Sequence, residues 1–451
     1  MNTKPNIIFI LTDQQRHDTC GCYGQSLDVT PNLANLAKKG VLFINSFTCQ
    51  PVCGPARSCI QTGKYATETM CYRNGVALPK KEKTIADYLS QAGYEVGYIG
   101  KWHLASTILL SKEDIGKKKD YQIEPIPLEL RGGYKDFWLA SDLLELTSHP
   151  YEGHLFNSEM EKVNFIGYRV DSLTDFALDY IRTRELNQPF FLFLSYLEPH
   201  QQNDQEEFVG PENSKERFKN YDPPGDLKGV EGDWKEFFPD YLGACNSIDK
   251  NLGRIQKLLE KLKINDNTII VFTSDHGCHF RTRVWEYKRS CHDSSIHIPL
   301  LIKGPGFPKA KKVNQLVSLI DLAPTILKCA GIEIPNYMRG RPLQELTNEP
   351  INDWPEEIFV QISESQVGRA IRTHKWKYSI KAPRKNGFLY AKSDVYVEEY
   401  LYDLENDIYE KHNLVDDPDY ADIRKELASK LIEKMIEIGE PKPKILPNNA
   451  K

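Results

Sequence analysis

The chain has 451 residues, 40% hydrophobic and 27% charged, with a net charge of −5, values that fit a folded protein built from one large domain and a smaller satellite. No long Lys/Arg run gives the footprint of a nucleic-acid or anionic-membrane binder, and the most apolar stretches, Asn6 to Leu11, Phe190 to Leu197 and Ile298 to Ile302, fall far short of the roughly 20 residues that span a bilayer. Ten cysteines are too sparse for a disulfide scaffold and read mostly as free thiols; the N-terminal residues make no secretory signal, so the expected location is cytoplasmic as the sequence stands, or periplasmic or secreted had a signal been removed.

Asn6 to Thr12 is an apolar run rich in β-branched residues that stops at Asp13, the pattern of a strand buried on both faces. Thr30-Pro31 opens a short helix closed by Gly40, and Thr84 to Ala92 repeats that design with Gly93 as terminator. The strand Tyr94 to Ile99 then leads into Gly100-Lys101-Trp102-His103, followed by a charged stretch, Lys112 to Lys119, expected to be a solvated loop. A helix over Asp171 to Glu185 precedes Pro189 and the strand Phe190 to Leu197, which ends at Glu198-Pro199-His200; polar loop runs from there to Gly232.

Apolar residues at Leu242, Cys245, Ile248, Leu252, Ile255, Leu259 and Leu262 predict a helix over Tyr241 to Leu262, and the strand Thr268 to Thr273 reaches Ser274-Asp275-His276-Gly277. Alternating strands and helices imply an α/β sheet with helices on both faces. Beyond Trp354 the texture changes to strand-like pieces (Glu357 to Ile362, Val367 to Thr373, Trp376 to Lys381) and a helix near Tyr420 to Ile438. The expected division is therefore a catalytic domain over 1–354 and a C-terminal α+β subdomain over 355–451, with a small antiparallel sheet and a helix.

The most specific motif is Cys53-Gly54-Pro55-Ala56-Arg57, a C-x-P-x-R pentapeptide. A buried thiol, a turn proline and a surface arginine would write the same letters. Its setting argues otherwise: it follows the strand ending at Asp13, and Ser58 to Thr62 runs on to Gly63-Lys64, so the thiol is expected near a helix N-terminus, where an anion is favoured. Asp13, Gln14, Asp275 and His276 sit at the ends of two strands and form a hard-oxygen set with one imidazole, suited to a divalent metal.

These stretches, with Thr30-Pro31-Asn32, Thr62-Gly63, Gly100 to Leu104, Glu198-Pro199-His200, Pro299 to Gly306 and Leu401-Tyr402-Asp403-Leu404, resemble the type I sulfatases of the alkaline phosphatase superfamily over nearly the whole chain. The resemblance implies a large mixed, mostly parallel sheet flanked by helices, with the smaller C-terminal subdomain. It also implies that Cys53 is oxidised to formylglycine by a maturation enzyme. A hydrated aldehyde suits sulfate-ester cleavage: one hydroxyl attacks sulfur, and loss of the second proton expels sulfate and restores the aldehyde. By the same resemblance Cys53 also ligates the metal, Arg57 holds the diol oxygens, Lys101 and Lys288 bind sulfate oxygens, His103 contacts the formylglycine, and His200 protonates the leaving alcohol. The metal is expected to be calcium first, with magnesium or manganese as alternatives. The family's usual acidic pair is Asp-Asp, so Gln14 is a departure that removes one negative charge.

Asn74 and His292 are candidates to face the substrate, with a structural role equally open to both. The expected substrate is a carbohydrate sulfate, walled by Ser106 to Pro150 and Gln201 to Gly232, with no nucleic-acid or membrane partner; the oligomeric state is not legible. Two other readings compete. One is a phosphonate monoester or phosphodiester hydrolase, which Gln14 keeps open; the other is a non-catalytic binder of sulfated glycans.

Overall fold

The computed structural model describes residues 4–108, 120–184, 187–348 and 353–448; the charged stretch Lys112 to Lys119 lies outside them. The large sheet is built from β1 (Asn6–Asp13), β2 (Val41–Phe47), β3 (Glu95–Lys101), β4 (Phe137–Ser141), β5 (Ser148–His149), β6 (Glu152–Phe156), β7 (Lys162–Ile166), β8 (Phe190–Pro199), β9 (Thr268–Ser274), β10 (Leu300–Lys303) and β11 (Lys311–Ser318). Their order is β11-β2-β10-β9-β1-β8-β3-β4-β6-β5, with β7 on β6. The central strands β9, β1, β8, β3 and β4 run parallel, while β10 is antiparallel to both its neighbours and β4 to β7 end in antiparallel pairs.

The apolar run of β1 divides cleanly between two cores. Ile7, Phe9 and Leu11 pack on one face with the helices Cys53–Thr62, Ile85–Gln91 and Leu322–Cys329; Ile8 and Ile10 pack on the other with Pro31–Ala37, Arg169–Thr183 and Trp234–Lys261. Both faces are covered, which is why the central strands lack polar alternation. Among the described residues no helix is long and apolar enough to cross a membrane.

Three expectations need correction. The helix expected from Tyr241 begins at Trp234 and passes through Pro239. Trp234, Phe237 and Phe238 are buried in one cluster with Tyr241, and that burial outweighs the backbone bond a proline forfeits. The expected polar loop after His200 contains the helix Ser214–Phe218 and feeds Phe208, Phe218 and Leu227 into the same cluster.

The third correction is in the small sheet, β12 (Glu357–Ile362), β13 (Gly368–Thr373), β14 (Trp376–Lys381), β15 (Val395–Asp403) and β16 (Lys444–Leu446). It is antiparallel from β12 to β15, but β16 joins β15 in parallel. The helix Ala421–Glu437 supplies the crossover that a parallel pair requires and packs Leu427, Leu431 and Met435 onto the sheet.

The approach of β3 to β8 depends on Gly100. Its φ is +105°, and a Cβ there would lie 1.9 Å from the Ser195 carbonyl oxygen. Gly100→Ala should therefore cost about 3 kcal/mol of stability, read as a lower denaturant midpoint; an unchanged midpoint would show that the strands can separate freely here.

Candidate functional site

Four neighbouring strands, β9, β1, β8 and β3, carry their carboxyl ends to one edge of the sheet, where ligands of open α/β sheets gather. Thr12 pairs with Ser274, so Asp13 and Asp275 emerge side by side; Asp13 pairs with Pro199 on the other flank, which brings His200 alongside, and β3 adds Lys101 and then His103. Cys53 is the first residue of the helix Cys53–Thr62, in which every residue is buried and which ends at Gly63 in the left-handed conformation. Gln14 (φ 71°) and His103 (φ 61°) are non-glycine residues in that same conformation at the strand ends, a local strain typical of sites held in place by their surroundings. The Gln14 N–H donates to Asp275 Oδ1 (3.1 Å) and the His103 N–H to the Asp142 carbonyl (2.9 Å).

The Cys53 thiol donates to Asp13 Oδ1 at 3.5 Å and lies 3.2 Å from His276 Nε2 and 2.9 Å from Lys288 Nζ. Burial alone would raise its pKa, but Lys288, Lys101 and His276, with a hydrogen bond from His103, outweigh that and hold it well below the ordinary thiol value. Lys288 Nζ also reaches Gln14 Oε1 (3.3 Å) and His200 Nε2 (3.0 Å), and His200 Nδ1 is 2.7 Å from the Gln201 carbonyl. Lys101 Nζ bridges Asp13 Oδ2 (2.9 Å) and Glu145 Oε1 (3.1 Å). Burial disfavours its charge, yet the two carboxylates raise its pKa above the usual lysine value.

Arg57 lies one helical turn after Cys53. Its guanidinium lies 3.2 Å from Asp13 Oδ2 and 3.3 Å from Asp275 Oδ2, and donates to the Lys101 carbonyl (2.8 Å) and Ser195 Oγ (2.7 Å). Strand-end carboxylates capture it because each would otherwise be a buried, uncompensated charge.

The donor set fits a divalent cation. One ligand atom from each of Asp13, Cys53, Asp275 and His276 lies within 4.8 Å of all the others. Asp275 Oδ2 is buried and takes no hydrogen bond from a described residue; burial and the nearby Asp13 carboxylate raise the Asp275 pKa against the pull of His276 and Arg57. A cation between the two carboxylates would relieve that repulsion. Gln14 Nε2 is engaged by Gln201 Oε1 (2.8 Å) and Cys278 Sγ (3.5 Å), which leaves its carbonyl oxygen facing Lys288 and the site.

Cys53, Asn74, His103, His200 and Lys288 line a cleft of about 260 Å³ together with Glu145, Gln201, Asn203, Glu206, Arg281, Trp285 and Arg289. Asn74 also has a structural role: its Oδ1 accepts from the Gly54 N–H at 3.0 Å at the start of the helix Cys53–Thr62. His292 does not line the cleft. Its ring lies 3.1 Å from the Tyr402 hydroxyl and 3.2 Å from Ser290 Oγ, packed against the small sheet, and burial together with Arg283 and Lys377 holds it well below the ordinary imidazole value. Four contributors carry no motif: Glu145, Ser195, Gln201, and Glu364, which accepts from the Asn74 N–H (2.7 Å) and braces Arg289.

Residues 5–332 match the family model described as Sulfatase, and residues 282–437 match that described as N-sulphoglucosamine sulphohydrolase, C-terminal. The chain belongs to the sulfatase family, and its chemistry is that of a sulfuric ester hydrolase, a class that works with a metal and a formylglycine. An ulvan-active sulfatase of Formosa agariphila is 30% identical over 460 residues, covering 97% of this chain and 82% of that protein. The N-acetylglucosamine-6-O-sulfatase of Bacteroides thetaiotaomicron is 26% identical over 518 residues, covering 95% and 86%. A structure solved in complex with its substrate D-glucosamine-2-N,6-O-disulfate shares the fold, with a TM-score of 0.76 over 97% of this chain and 98% of that one at 24% identity.

Asp275→Ala should lower divalent-metal affinity at least ~100-fold, because a charged ligand is lost, and Gln14→Ala should lower it less. Metal analysis after dialysis is the measurement; unchanged metal content in Asp275→Ala would remove Asp275 from the ligand set.

Proposed function

We propose that this sulfatase cleaves carbohydrate sulfate esters through a formylglycine made from Cys53, with the divalent cation held by Asp13, Gln14, Asp275, His276 and the oxygen at position 53. The observation that carries the reading is the surroundings of the Cys53 side-chain atom, which packs against a carboxylate, an imidazole and an ammonium in one buried cluster. When present, the formylglycine supplies an oxygen nucleophile and the cation polarises the ester's sulfuryl oxygens.

The remaining work falls to side chains. Lys288 and Lys101 offer ammonium groups to the sulfuryl oxygens, where negative charge accumulates during transfer. Arg57 holds Asp13 and Asp275 in register. His200, beside Lys288 at the cleft, is placed to hand a proton to the departing alcohol.

The rim supports a sugar as that alcohol. Trp285 lines the cleft yet is 70% exposed, and an indole face left open at a polar mouth offers the broad apolar surface on which a pyranose ring can rest. Arg281 and Arg289 beside it bring hydrogen-bond donors to the rim, each already paired with carboxylates, Asp233 for the first and Glu286 and Glu364 for the second. Of the two segments expected to wall the substrate, one contributes Gln201, Asn203 and Glu206 and the other Glu145.

Two experiments test the reading. Protein made with a formylglycine-generating enzyme is assayed on sulfated mono- and disaccharides, an aryl sulfate, an aryl phosphonate monoester and an aryl phosphodiester, with the aldehyde at position 53 counted by mass spectrometry. Sulfate esters should give the highest kcat/KM, turnover should track the aldehyde fraction, and Cys53→Ala should fold but show no turnover. A preference for the phosphonate, or undiminished turnover by fully thiol protein, would overturn the assignment. Separately, His200→Ala should lose about 10²–10⁴-fold on sugar sulfates and much less on activated aryl sulfates; equal losses on both would reduce His200 to a binding residue.

A further inference from the structure

Glu145 is an acidic group of the cleft whose partner, Lys101, already has Asp13 beside it. It belongs to the short helix Leu144–Thr147, is only 6% exposed, and lines the cleft with Cys53, His103 and His200. One carboxylate oxygen, Oε1, meets Lys101 Nζ at 3.1 Å; the other, Oε2, is buried and accepts no hydrogen bond from any described residue. The Gln202 side-chain amide fixes the turn by donating to the Glu145 and Ser148 carbonyls, both at 3.1 Å.

Charge makes this placement costly. A site that binds sulfate loses affinity for each carboxylate near it, and Lys101 already has Asp13 at 2.9 Å, so Glu145 is not needed to settle Lys101 in the fold. A buried carboxylate oxygen without a donor also costs on the order of 1–3 kcal/mol. Burial works against ionisation, but Lys101, His103 and His200 more than offset it and lower the Glu145 pKa. The group is thus an anion and a pure acceptor, on the His103 and His200 side of the cleft, where the departing alcohol must lie if His200 protonates it.

Resting on the sugar-sulfate reading above, we propose that Glu145 is a specificity residue: Oε2 accepts a hydrogen bond from a hydroxyl or amine on the carbon next to the sulfated one, and its charge rejects a second sulfate there. The donor satisfies the orphaned oxygen, and a neighbouring sulfate meets a fixed like charge in a dry cleft. Such a device discriminates by its unfavourable pairings as much as by its favourable one.

The test takes the sugar monosulfate that the wild-type enzyme hydrolyses best and compares it with its neighbouring-deoxy analogue, its neighbouring disulfate and an aryl sulfate. Wild type should prefer the monosulfate over both sugar analogues by ~100-fold in kcat/KM. Glu145→Gln, which removes the charge but keeps an acceptor, should gain at least ~10-fold on the disulfate relative to the monosulfate. Glu145→Ala should also erase the preference over the deoxy sugar. If both variants lose the same factor on every substrate, Glu145 merely positions Lys101 and the inference is overturned. A wild type that hydrolyses no sulfate ester at all would instead overturn the sugar-sulfate reading, and this inference with it.

Discussion

Two carboxylates with no solvent exposure, Asp13 and Asp275, stand side by side at the end of adjacent parallel strands, and the rest of the site answers to them. Their juxtaposition is forced by backbone register, since Thr12 pairs with Ser274, and neither charge can be left uncompensated in a dry interior. Arg57 bridges one oxygen of each, Lys101 adds a second cation to that same oxygen of Asp13, and a divalent cation fits on the side they leave open. The helix Cys53–Thr62 must therefore enter at the one angle that sets Arg57 under the pair and Cys53 above it. C-x-P-x-R is in this sense a ruler: a four-residue step is one helical turn, and it separates the Cys53 side chain from the guanidinium that neutralises the carboxylates.

This division bears on how a buried charge cluster remains usable. Arg57 also donates to the Lys101 carbonyl and to Ser195 Oγ, so both ends of its guanidinium are committed and it behaves as framework. Replacing it with lysine would keep a charge but lose the fork that spans two carboxylates and two other acceptors.

The strand ends were legible because burial on both faces writes itself as uninterrupted apolar runs, and the residue that stops each run, Asp13, His200 or Asp275, is the one delivered to the edge. The helix Cys53–Thr62 was legible from its pentapeptide and its Gly63 stop. Strands β4 to β7 were not, since they are short and, in β7, largely exposed. Glu145 left no trace either: it sits in a helix of four residues and reaches the site across 44 positions of sequence from Lys101. Arg57 was named by its motif, but the motif does not say which acceptors its guanidinium meets, and these follow from the register of the strand ends. For His292 the sequence left a structural role as open as a substrate-facing one, and its ring packs against the small sheet.

Gln14 connects the metal set to the anion site. Where the family's usual pair would put a second acid, this chain places a neutral amide whose nitrogen is occupied by Gln201 and Cys278 and whose oxygen is 3.3 Å from Lys288 Nζ. A carboxylate in that position would pair with Lys288. With glutamine, Lys288 has no carboxylate within ion-pair distance among the described residues, whereas Lys101 is held between two. The two lysines are therefore not equivalent: Lys101 is largely neutralised by Asp13 and Glu145, while Lys288 keeps its charge beside the Cys53 side chain and His200. On the proposed reading, the neutral residue at position 14 weakens the cation site by one charge and in return leaves the ammonium beside Cys53 free to meet the sulfuryl group.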